Sequence, residues 1–242
     1  MGLGASSERR PVFYFVGDSI TEFGSNPQDG GFIALLQRDY VRCVDMINRG
    51  LAGYNSRWVA QHALPIFDAE LAAQYEASFV TLWLGANDAA LPDGPNKNQF
   101  VPLDEYRTNM TTLTRAFGAR LPTGGRLLLI TPPAVIDSMR RDKDRSNAAA
   151  GEYARACVAI AGAEGVAVLD LHTHFNTTYP DETERRSFFA DGLHFNAKGN
   201  AEVARLLGDT MKKLFSKEAL HRFHHMQLPG WDTWVKSSCD HT

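Results

Sequence analysis

Five short apolar runs rich in β-formers punctuate the chain: Val12 to Val16, Val41 to Ile47, Ser78 to Leu84, Arg126 to Ile130 and Val166 to Leu171. Runs this short and this apolar read as strands buried on both faces. Segments with helical periodicity lie between and after them, at roughly 30–40, 57–75, 104–120, 147–163 and 197–215. The order βαβαβαβαβα admits few folds, because parallel strands need long crossovers and the crossing helices must cover both faces of the sheet. It predicts an α/β protein, a three-layer α/β/α sandwich around a five-stranded, mostly parallel sheet. In such open sheets ligands bind beyond the carboxyl ends of the strands, where strand order reverses, so the residues just after each strand are the ones to read for chemistry.

A chain of 242 residues suits one such core. The predicted organisation is a flexible leader over 1–10, one domain over 11–220, and a tail over 221–242 that packs on the domain. Hydrophobic residues at 44% and charged residues at 22% exclude collagen, disorder and coiled coil. A net charge of −3 supplies no field for a polyanion, which argues against nucleic acid and for a small-molecule substrate. Cys43, Cys157 and Cys239 are odd in number and lack CxxC spacing, so neither a disulfide framework nor a zinc ribbon is indicated and a reducing, cytoplasmic compartment fits. Neither a signal-like apolar segment nor a membrane-spanning run is present. Met1-Gly2-Leu3-Gly4-Ala5-Ser6 matches an N-myristoylation pattern at Gly2 but reads more readily as a flexible Gly/Ser-rich leader; one acyl chain would give reversible membrane contact. His221, His224 and His225 have no neighbouring carboxylate or cysteine to complete a ligand set, so no metal is assigned, and Trp231 and Trp234 read as tail aromatics.

Three strand ends and the approach to the last helix carry polar residues suited to one chemistry. After the first strand, Gly17-Asp18-Ser19-Ile20 places a serine beside a permissive glycine. A serine hydroxyl is a weak nucleophile unless a base takes its proton, and taken alone Ser19 also reads as a helix N-cap or turn residue. After the second, Asn48-Arg49-Gly50-Leu51-Ala52-Gly53-Tyr54-Asn55 makes the Gly53 N–H a candidate donor, though a strand-to-helix turn needs glycines in any case. After the third, Gly85-Ala86-Asn87-Asp88 offers the Asn87 amide to an oxyanion, or an Asn/Asp-stabilised turn. Asp18 and Asp88 are expected to brace their turns. Before the last helix, Asp191-Gly192-Leu193-His194 sets a carboxylate three residues from an imidazole, close enough to hold one ring nitrogen and leave the other free as a base. No GxGxxG follows the first strand, so no dinucleotide cofactor is expected.

These blocks, in this order, resemble the SGNH branch of the GDSL lipases and esterases, and the resemblance spans nearly the whole chain, with Ile20 standing for the usual leucine. Asn48-Arg49-Gly50 to Gly53-Tyr54-Asn55, Val101-Pro102-Leu103 to Tyr106, Thr131-Pro132-Pro133 and Asp191 to His194 are most similar to the isoamyl acetate-hydrolyzing esterase group. The resemblance implies a flavodoxin-like fold and cofactor-free hydrolysis of carboxylic esters. It also implies Ser19 as nucleophile, His194 as base, Asp191 as acid, and Ser19, Gly53 and Asn87 as the oxyanion hole. Leu91, Pro92, Phe100 and Val101, with Pro132, Pro133, Val135, Ile136 and Met139, are expected to line the acyl and alcohol sites or to cover the sheet edge. Apolar walls favour a small to medium aliphatic ester; the alternatives are a deacylase of acetylated carbohydrate, lysophospholipid or acyl thioester, and a non-catalytic binding module.

Overall fold

The computed structural model describes residues 9–140, 142–228 and 230–232. Strands β1 (Val12–Gly17), β2 (Asp45–Gly50), β3 (Ala77–Trp83), β4 (Arg126–Ile130) and β5 (Ala167–Leu169) form one sheet in the order β2-β1-β3-β4-β5. Every neighbouring pair is parallel. The helices are α1 (Ser19–Phe23), α2 (Phe32–Asp39), α3 (Ser56–Trp58), α4 (Leu64–Ala73), α5 (Leu103–Ala119), α6 (Asn147–Glu164), α7 (Leu171–Thr178), α8 (Glu182–Arg186), α9 (Ala197–Leu214) and α10 (Lys217–Phe223).

Side-chain alternation splits the interior into two cores. Phe13 and Phe15 of β1, Phe79 and Trp83 of β3, and Leu128 and Ile130 of β4 face α2, α7, α9 and α10. Tyr14 and Val16, Val80 and Leu82, and Leu127 and Leu129 face α4, α5 and α6. Continuous apolar strands are the consequence of burying both faces, with each large side chain contributing about 1.5–3 kcal/mol. Phe13 packs edge-on against Tyr40, Phe79 and Phe223, so α10 closes one end of the first core and runs through position 220 without a break.

Local chemistry moved several boundaries. The second strand, expected over 41–47, begins at Asp45 because Tyr40 to Cys43 turn: Cys43 N–H and Val44 N–H both donate to Tyr40 O, Arg42 has a φ of 67°, and Val41 is exposed. The strand ends instead on the polar Asn48-Arg49-Gly50. The helix expected over 57–75 is interrupted by a π-turn at Val59–Ala63. Leu171, read as the last residue of a strand, opens α7 because Asp170 caps it by accepting from Thr173 N–H.

Strand order places the site. The chain leaves β1 for β2 on one side and returns to β3 on the other, so the loops after β1 and β3 diverge at the switch point. Gly2, Trp234 and Cys239 lie outside the described residues. Among those described, Cys43 and Cys157 are buried free thiols, no helix is long and apolar enough to cross a membrane, and no cluster of three or more His, Cys, Asp or Glu is placed to hold a metal ion.

Candidate active site

Ser19 is the first residue of α1, directly beyond β1, and is buried. Asp18, not Ser19, is the cap: its Oδ1 accepts from Ile20 N–H at 2.9 Å. That frees the Ser19 hydroxyl from capping. Gly17 is required there by close packing, since a Cβ at that position would lie 2.8 Å from Trp83 O and closer still to Thr21.

The partner arrives from the far end of the chain. Segment 188–196 folds back on itself, with Ala190 N–H donating to His194 O at 2.8 Å and a bridge pairing Phe189 with Phe195. Gly192 sits at φ +86°, and a Cβ would lie 2.8 Å from Ile136 O, so both backbone conformation and space call for glycine. Asp191 Oδ1 accepts from the backbone N–H of Leu193 at 2.9 Å and of His194 at 2.8 Å, while its Oδ2 lies 2.9 Å from His194 Nδ1. Burial pushes the Asp191 carboxyl up, but the His194 ring and the two backbone N–H groups outweigh it and hold it well below the usual carboxylate range. An ionised carboxylate only accepts, so His194 Nδ1 carries a proton, and in the neutral ring Nε2 presents its lone pair. Ser19 Oγ stands 2.8 Å from that nitrogen.

Asn87 is buried at the end of the loop after β3, its Nδ2 donating to Tyr54 O at 2.8 Å. Gly53 lies in the neighbouring loop, where its carbonyl accepts from Gln99 Nε2 at 3.0 Å. Asp18 and Asp88 do brace turns. Asp88 accepts from Ser56 N–H and from the Ser56 hydroxyl, tying the loop after β3 to α3. Burial raises Asp88 to about 7 and Asp18 to about 6, the latter despite Ile20 N–H, His194 and Arg145 nearby. Among the described residues, Asp18 Oδ2 is buried without a hydrogen-bond partner.

Of the two roles expected for the apolar loop residues, Val101, Val135 and Ile136 fit the second: they are buried in the cores that cover the sheet. A cavity of about 350 Å³ beside His194 is lined by Ile20, Phe23, Ala190 and Phe195 with Asp29 and Asn200. Phe23 is 45% exposed and its ring lies 5.4 Å from that of His194. Met139 lines a second cavity of about 540 Å³ beyond Asp191, with Arg140, Asp142 and Arg186. Another cavity, about 690 Å³ between α2 and α9, is remote from this chemistry. Sequence reading missed Phe23 as a wall and the buried pair Asp144 and Arg145. The one signal available was a dense charge run, Arg140 to Arg145, in a loop read for its apolar residues.

A hydroxyl held on an imidazole that is itself held on a carboxylate, at the switch point of a parallel sheet, is the arrangement used by nucleophile–base–acid hydrolases. The GDSL-like lipase/acylhydrolase family model matches residues 15–202, and the chain belongs to that family. It is 36% identical over 229 residues to the human isoamyl acetate-hydrolyzing esterase 1 homolog, covering 91% of this chain and 87% of that one. To a GDSL esterase/lipase of Arabidopsis thaliana it is 35% identical over 218 residues, 85% of this chain and 87% of the relative. Among solved structures, the acetylxylan esterase Axe2 of Geobacillus stearothermophilus matches with a TM-score of 0.65 at 21% identity, over 86% of this chain and 97% of that one, a likeness of fold. The chain is a carboxylic ester hydrolase of the GDSL type.

Proposed function

We propose that this protein hydrolyses small to medium aliphatic esters of the acetate type through an acyl-enzyme on Ser19. The 2.8 Å approach of Ser19 Oγ to His194 Nε2, with Asp191 behind the ring, carries the reading. In the acylation step His194 takes the hydroxyl proton as Oγ bonds to the ester carbonyl carbon, and Asp191 fixes the tautomer and supports the imidazolium. The carbonyl oxygen, now an oxyanion, is met by the backbone N–H groups of Ser19 and Gly53 and by Asn87 Nδ2. Collapse breaks the bond to the alcohol, which leaves with the His194 proton. Water, deprotonated by His194, then cleaves the acyl-enzyme and restores Ser19. No cofactor enters these steps.

The apolar side chains of Ile20, Phe23 and Phe195 in the cavity beside His194 support an aliphatic substrate. The name of the human relative points the same way. The test is wild type beside Ser19→Ala on p-nitrophenyl esters from acetate to dodecanoate, with circular dichroism on both. A loss of more than about a thousandfold in Ser19→Ala, with rates falling as chains lengthen, is expected. Residual activity within tenfold of wild type would reject Ser19 as nucleophile, and rates rising with chain length would move the substrate to lysophospholipid-like esters.

A further inference from the structure

Arg145 is buried at 4% exposure, in the loop before α6, and three edges of its guanidinium are occupied. Nε donates to Ala86 O at 2.7 Å, Nη1 to Asp144 Oδ2 at 2.6 Å, and Nη2 to both Asn87 Oδ1 at 2.8 Å and Gln99 Oε1 at 2.6 Å. A guanidinium has only donors, so the Asn87 atom facing it must be the oxygen. On the other side Tyr54 O, a carbonyl that only accepts, requires the nitrogen. The orientation of this amide is therefore set by chemistry on both sides, with one Nδ2 hydrogen committed to Tyr54 and the second left over.

We propose that Arg145 is a positioning residue of the oxyanion hole, holding the Asn87 amide in its donating orientation and polarising the remaining N–H toward the developing oxyanion. The inference rests on the function proposed above. Positive charge against the amide oxygen draws electron density from the nitrogen and strengthens its N–H as a donor, more so where water is excluded. Burial pulls the guanidinium below its ordinary value while Asp144, Asp18 and Asp88 oppose that, and an arginine so placed stays charged. The same Nη2 holds Gln99, whose Nε2 donates to Gly53 O, so one cation is bonded to the Asn87 loop directly and linked to the Gly53 loop through Gln99. Asp144 in turn is shared with Arg140 and Asn96, which keeps the cation from being the sole partner of a buried carboxylate.

The experiment is a double-mutant cycle of Arg145→Met and Asn87→Ala, reading kcat and KM on p-nitrophenyl acetate, with thermal unfolding of each variant. Asn87→Ala is expected to lower kcat by about 10²- to 10³-fold. Arg145→Met is expected to lower kcat by about 10- to 100-fold with KM within about threefold of wild type, and to cost no more than about threefold further once Asn87 is alanine. A brace with no catalytic role would reduce kcat equally in both backgrounds, and that result, or an Arg145→Met kcat equal to wild type, overturns the inference. If Arg145→Met does not fold, Arg145→Lys takes its place in the cycle: it keeps a cation beside Asp144, but a single ammonium cannot serve Ala86, Asn87, Gln99 and Asp144 together. Wild-type kcat in Arg145→Lys overturns the requirement for the guanidinium fork. An unchanged kcat in Asn87→Ala alone strikes the oxyanion reading itself, so the two failures are told apart.

Discussion

The two halves of the site are built differently. The proposed acid–base half, Asp191 and His194, lies within three residues of sequence, is joined from outside by Arg140 at Asp191, and is partly open, with side-chain exposures of 47% and 27%. The half proposed to face the oxyanion draws on four loops, and Asn87, Asp88, Asp144 and Arg145 are all buried. A base must exchange protons with water and leaving group, so a local, solvent-reachable device suffices. Donors that stabilise developing charge must not reorient, and a buried, doubly constrained amide meets that need. Catalytic groups that handle protons can thus rest on a short loop, while those that supply a fixed field need long-range ties.

Substitutions that spare one half test this contrast. The largest effect is expected from Asp191→Asn. The asparagine Oδ1 can still accept from Leu193 and His194 N–H, but an amide N–H facing Nδ1 selects the tautomer that presents Nε2–H to Ser19. A fall in kcat on the order of 10³- to 10⁴-fold with little change in thermal stability is expected; a comparable loss of folding would show that the local half is braced more widely than its contacts suggest. Next comes Asn87→Ala, at about 10²- to 10³-fold in kcat, together with a measurable loss of stability because the Arg145 fork and Tyr54 O each lose a partner. Equal stability of Asp191→Asn and Asn87→Ala would break the contrast.

Gly192→Ala should act more weakly. The alanine must adopt φ near +86° against Ile136 O, at a cost of about 1–3 kcal/mol, read as a lower unfolding midpoint and a smaller fall in kcat than Asp191→Asn gives. The smallest effect is expected from Asp18→Asn and is read in stability against pH. The folded state holds the Asp18 proton up to about pH 6, against 3.8 without the fold. Stability from this group is therefore complete below about pH 4 and is lost as pH rises through 6. Asparagine keeps the cap to Ile20 and does not ionise, so its stability relative to wild type should rise between pH 4 and 7, by at most about 3 kcal/mol, and level off above. A difference independent of pH would show that Asp18 titrates as it does unfolded.

The strands β1, β3 and β4 were legible almost to the residue because burial on both faces makes them continuous apolar runs. The edge strand β2 was misplaced because the apolar residues before it belong to a turn and its own end is polar. Short helices such as α1 and α8 carry too few turns for a periodic signal. The five proposed site residues stood out because each follows a strand or precedes a helix within a compact polar block.

By itself the sequence determined the layered architecture, since hydrophobic period and run length depend on neighbours along the chain. It also determined the Asp191–His194 spacing, a contact made within one loop. Only the tertiary structure decided that Ser19 meets His194 across 175 residues, that Phe23 rather than Val101 or Ile136 lines the cavity, and that Arg145 is buried on the Asn87 amide. Burial of a charge and the partner it finds are properties of the folded packing: an arginine in a charged run reads as solvated until the chain brings Ala86, Asn87, Gln99 and Asp144 around it.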